Sequence, residues 1–153
     1  MKKLLLLSML FLALSCTVET EESQEEALFL EINDGKGYVY STEYSDHHIF
    51  FYDSDIFLKE VWLSYPELNS YCATMKEGAN SGDDWGSADF NAEIMTHQKN
   101  ALDVQTSYTD VEENITRYNQ TGYIQDGNNI KVFFGSIIKT YSPTSITYAS
   151  LCN

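Results

Sequence analysis

The sequence predicts an all-β fold, a small antiparallel up-and-down β-barrel, with a β-sandwich as the alternative. Three observations predict it. From Ala27 onward the chain consists of short runs of alternating character, separated by turn residues at spacings of about 8–12. Eleven tyrosines and eight phenylalanines supply side chains that pack well on a pleated surface. No window sustains the period of an amphipathic helix beyond a short turn around 110–114.

"ALFLEI" reads as the first run, and "NDGKG" turns it into "YVYSTEY". "HHIFFY" and "IFLKEVWLSY" flank the turn "DSD", and "ELNSYCATMK" follows Pro66. "EGANSGDDWGSAD", residues 77–89, is one long polar insertion, and loops of that length are often functional. "FNAEIMT" and "ALDVQTSY" flank "HQKN"; "ITRYNQTGYIQ" and "IKVFF" flank "DGNN". "SIIKTY" and "SITYASLC" are split by "SP". Alternation is clearest in two places. Leu102, Val104, Thr106 and Tyr108 point one way, with Asp103, Gln105 and Ser107 the other; Ile130, Val132 and Phe134 alternate with Lys131 and Phe133.

The first 26 residues follow other rules. "MKKLLLLSMLFLALS" has two lysines, an apolar core and a small-residue exit, the layout of a secretory signal. The apolar stretch is about 12 residues, short of the roughly 20 that a spanning helix needs. "LALSC" resembles the lipobox of bacterial lipoproteins: Ser15 precedes Cys16, and Leu12 stands one place further from the cysteine than the usual leucine. That resemblance implies cleavage before Cys16 and acylation of its thiol. Each buried methylene contributes about 0.8 kcal/mol, so two or more chains hold a protein stably on a membrane. "TVETEESQEE" has no apolar periodicity and reads as a solvated tether. Acidic residues directly after a lipidated cysteine also resemble a signal for display on the outer face of the outer membrane. The expected organisation is a signal peptide over 1–15, a lipidated acidic tether over 16–26 and a barrel over 27–153. The expected location is the bacterial cell envelope, as an outer-membrane lipoprotein that is periplasmic or surface-exposed.

Losing Lys2 and Lys3 with residues 1–15 takes the formal charge from −14 to −16. Such a chain repels nucleic acid. Cys72 and Cys152 remain in the body, and a cysteine pair in an exported chain reads as a disulfide. It closes a loop of about 80 residues, worth roughly 4–5 kcal/mol in the chain-entropy view. The order of meander strands, the "YIQDGNNIKVFF" hairpin and a cystine from mid-chain to C-terminus resemble the lipocalin-like bacterial lipoproteins. That resemblance implies an up-and-down barrel. The early Gly-x-Trp of lipocalins has no match here; "GYVY", with Gly37 and Tyr40, is the nearest stretch.

Candidate chemistry is sparse. "YSDHHIFFYDSD" gathers Asp46, His47, His48, Asp53 and Asp55, residue types that ligate zinc. Adjacent histidines on a strand face opposite sides, so His47 and His48 cannot share an ion without a bend, and no metal is expected. Asp83, Asp84 and Trp85 of "SGDDWG" are of the type that binds sugars, carboxylates taking hydroxyls and an indole stacking on the ring; the plain alternative is an acidic loop whose tryptophan covers the barrel's end. Glu112 and Glu113 are adjacent on a polar turn, a poor arrangement for acid–base work. No nucleophile elbow or phosphate loop appears, so no enzyme and no cofactor is expected. The expected role is non-enzymatic binding of a small or hydrophobic ligand in the barrel. The alternatives are a surface module that grips glycan or protein, or an inhibitor of a cell-wall enzyme.

Overall fold

Among the described residues nine antiparallel strands wrap into a nearly closed barrel. The computed structural model describes residues 26–67, 69–77, 90–110 and 113–152. The strands are β1 (Gly37–Ser41), β2 (Ser45–Phe51), β3 (Ile56–Ser64), β4 (Asn69–Lys76), β5 (Phe90–His97), β6 (Ala101–Asp110), β7 (Ile115–Asp126), β8 (Asn129–Phe134) and β9 (Ile137–Thr144). Two short helices flank them, α1 (Phe29–Asn33) and α2 (Tyr148–Leu151).

The sheet order is β4-β3-β2-β1-β9-β8-β7-β6-β5. Two meanders are therefore joined where β9 lies beside β1, with Tyr38 opposite Pro143 and Val39 opposite Ser142. Pro143 lies past the last residue of β9 that pairs with β8, so the proline interrupts no ladder on that side. A ring of antiparallel strands closes only with an even number, because direction reverses at every step. With nine strands among the described residues one junction is parallel: Glu77, just past β4, bridges Ala92 of β5 in parallel.

Turn chemistry sets the tight hairpins. Gly127 after β7 and Gly135 after β8 have φ of +62° and +59°, the left-handed value that the first residue of such a two-residue turn demands. Those two turns lie at opposite ends of the barrel, and the two ends differ.

At the end that holds the β7–β8 turn, α1 acts as a plug. Phe29 and Leu30 enter the core with Phe51, Phe57, Leu102, Tyr123, Ile130 and Val132. Phe57 reaches the interior because a register shift between Ile56 and Leu58 bends β3 there. Asn33 is fully buried and fully used: its amide donates to the Phe29 carbonyl and to Gln125 Oε1, both at 3.0 Å, and it accepts from the Tyr38 hydroxyl at 2.6 Å. The "ALFLEI" run is thus a plug helix and not a first strand. The Leu28 N–H donates to the Glu31 carboxylate at 2.8 Å, half of a capping box. The β1 flank where another strand would pair is taken by β9.

A second, smaller cluster lies outside the barrel. Phe50, Val61 and Cys72 face outward from β2, β3 and β4, and Tyr148, Leu151 and Cys152 cover them. The Cys72–Cys152 disulfide closes this contact, with Cα atoms 6.2 Å apart in a normal range for a bridge. The final "SITYASLC" run is therefore an extended segment with a helical turn, docked on the outer face.

Candidate functional site

The interior is filled on the α1 side and open on the other. Leu102, Val104, Ile130 and Val132 are buried inward as their alternation requires, and they belong to the packed half. Beyond them a cavity of about 640 Å³ extends towards the end where the β8–β9 turn lies. Glu60 and Trp62 of β3 form one wall with Ala73 and Met75 of β4; Thr106, Thr121 and Phe134 form the facing wall. Tyr118, Asn119 and Gly135 also line it, and Tyr118 is exposed.

Register explains the wall. Ile49, Glu60 and Ala73 are direct cross-strand partners, as are His47, Trp62 and Tyr71. Partners in an antiparallel pair share a face, so an inward Ile49 brings Glu60 inward with it. Glu60 is 4% exposed. Its Oε1 accepts the Tyr123 hydroxyl proton at 3.2 Å, and its Oε2 lies 3.8 Å from His47 Nε2, outside hydrogen-bond range. His47 Nδ1 bonds the Tyr141 hydroxyl at 2.5 Å, and the imidazole stacks on Trp62 at 4.0 Å and 12°. His47 Nε2 is buried without a hydrogen-bond partner.

Burial, reinforced by the Glu60 charge, holds the Tyr123 phenol well above its ordinary range and raises Tyr141 in the same way. Both are therefore neutral hydroxyls at physiological pH. Lys139 projects to the same side of the sheet, with its ammonium over the Tyr40 ring at 4.8 Å and the Phe134 ring at 5.8 Å.

The mouth has its own character. Tyr44 and Tyr65 on turns, Tyr71 at the start of β4, Tyr118 on β7, and Ile137 and Ile138 on β9 are all exposed, and all lie towards the open end. The Tyr65 hydroxyl donates to Asp46 at 2.7 Å.

The other sequence-predicted residues divide as follows. Cys16 and Asp83, Asp84 and Trp85 lie outside the described residues, as does Glu112. Glu113 pairs with Arg117 at 3.0 Å on an exposed turn. His47 and His48 face opposite sides of β2, the first into the barrel and the second outward beside Phe50. Asp46 sits towards the open end of β2, while Asp53 and Asp55 lie in the turn at its far end, where Asp55 pairs with Lys76 at 3.7 Å. Among the described residues no group of three or more His, Cys, Asp or Glu side chains is placed to hold a metal.

Sequence reasoning missed Glu60, Tyr123 and Tyr141. A signal was present for the first. In "IFLKEVWLS" one phase holds Leu58, Glu60 and Trp62 and the other Lys59, Val61 and Leu63, so a strand with one face enclosed must turn one charge inward. Comparison of the chain with protein-family models, curated proteins and solved structures finds no match.

Proposed function

We propose that this protein is a membrane-anchored lipoprotein of the bacterial outer membrane, held by lipid on Cys16, and that its barrel binds a small, largely hydrophobic ligand without catalysing a reaction. The observation that carries this reading is the 640 Å³ cavity, which falls within the roughly 300–1,000 Å³ of small-molecule sites. Its walls combine apolar side chains such as Trp62, Met75 and Phe134 with a few polar groups, the usual composition of such a site. The neutral apolar dye N-phenylnaphthylamine is the test. It should bind with fluorescence enhancement and a negative heat-capacity change. Ala73→Trp, which fills the cavity from one wall, should abolish the enhancement while the circular dichroism of the barrel is unchanged. Dye binding unaffected by Ala73→Trp would sink the reading.

A second reading rests on the mouth. Its exposed tyrosines and isoleucines suit a surface that grips glycan or protein from outside the barrel. If the dye fails to bind while Tyr118→Ala weakens attachment to a glycan or cell surface, this reading replaces the first.

A further inference from the structure

We propose that the barrel cavity selects an amphipathic ammonium ion: an apolar body lies against Trp62, Met75 and Phe134, and a protonated amine is directed at Glu60. The proposal rests on the ligand-binding reading and names the chemical class that this site takes.

Glu60 lines the cavity and is buried. A carboxylate that is 4% exposed needs a cation or several donors to offset the loss of water. Glu60 has one neutral hydroxyl, from Tyr123, for a group that can accept about four hydrogen bonds. His47 Nε2 stands 3.8 Å from the second oxygen, within ion-pair range and too far to donate a hydrogen bond to it. The His47 Nε2 is itself buried and without a hydrogen-bond partner, so the imidazole side of the gap lacks a polar group. Lys139 does not supply it, because its ammonium rests on the Tyr40 and Phe134 rings.

The surroundings fix the sign and the shape of the missing group. An ammonium with hydrogens donates to Glu60 in a charge-assisted bond, about twice as strong as a neutral one. Trp62, Met75 and Phe134 supply the apolar wall for hydrocarbon, with one face of Trp62 covered by His47 and Phe134 already beside the Lys139 ammonium. A carboxylate ligand in the same place would put two like charges together away from water. The chain's formal charge of −14 acts in the same direction, concentrating cations at its surface.

The test compares three ligands of one chain length and different head groups, decylamine, decanol and decanoate, titrated into the full chain near neutral pH with tryptophan fluorescence and calorimetry. The amine should bind about tenfold or more tighter than the alcohol, the scale of one charge-assisted hydrogen bond, and decanoate should bind weakest. Glu60→Gln should bring amine and alcohol to equal affinity. The head-group series on the native chain needs no variant, so it decides the matter even if Glu60→Gln does not fold. Equal affinity for amine and alcohol, or tightest binding of decanoate, overturns the proposal and leaves the ligand-binding reading standing. An amine preference that survives in folded Glu60→Gln also overturns it. Failure of all three ligands to bind removes both.

Discussion

The Tyr123 hydroxyl donates to the Glu60 carboxylate at 3.2 Å, tying β7 to β3 across the barrel between residues 63 apart in sequence. The bond lies between the packed half of the interior and the cavity, so it belongs to both. Three expectations follow from this arrangement and from the rest of the fold, and a fourth from the sequence before the barrel.

Tyr123→Phe removes the one hydroxyl that Glu60 accepts, leaving a buried carboxylate with less support. The expected loss is about 1–3 kcal/mol in urea denaturation near neutral pH. The same variant should soften the alkaline limb of the stability profile. The raised phenol of Tyr123 keeps its proton when the unfolded chain, near pH 10, begins to lose it. Its contribution is therefore complete below about pH 10 and is lost as pH climbs towards the folded value. A native chain as stable at about pH 11 as at about pH 9 would contradict this.

His48 gives a slope on the acid side. It is 2% exposed, its Nδ1 has no partner, and burial lowers its pKa against the opposing pull of Asp46, with His47 adding to the lowering. The unfolded chain takes a proton near pH 6.5 while the folded one resists, so stability falls as pH drops through that value. His48→Leu should flatten the change in urea midpoint between about pH 7 and about pH 5. An unchanged slope in that variant would assign the acid sensitivity to carboxylates.

Reduction of Cys72–Cys152, or its replacement by two serines, removes a link across 80 residues. The expected destabilisation is roughly 4–5 kcal/mol if unfolded-chain entropy dominates. Amides of α2 should lose hydrogen-exchange protection before those of β6 and β7, because α2 is held on the outer face through Cys152, Tyr148 and Leu151. Uniform loss across the barrel would show that the bridge supports the whole fold and not this contact.

Cys16→Ser should move the protein out of the membrane fraction, or leave it unprocessed with the apolar leader attached. Detergent partitioning measures this directly. Partitioning identical to that of the native chain would exclude lipid on Cys16.

Much of the fold was legible because strand periodicity is local. Leu102, Val104 and Thr106 share an inward face with Ile130 and Val132, as their spacing requires, and Gly127 sits in the turn that "DGNN" announced. The two cysteines of the body formed the expected bridge. The candidate site was legible only in part. Alternation assigns side chains to two faces of a strand without saying which face is enclosed, and in β3 both phases are apolar and each carries one charge. Lys59 could face outward to the rings of Tyr52 and Tyr148 only because Glu60 faces inward, and cross-strand pairing with Ile49 decided between them.

By itself the sequence determined that the body forms strands, where most of them turn, and which residues share a face, since these depend on neighbours a few positions apart. Tertiary structure alone decided that "ALFLEI" becomes a plug helix, that β9 closes on β1, that β4 and β5 meet in parallel, and that half the interior stays open around Glu60. Those outcomes depend on contacts between residues far apart in the chain, where each strand competes for two edges and each side chain for one enclosed volume.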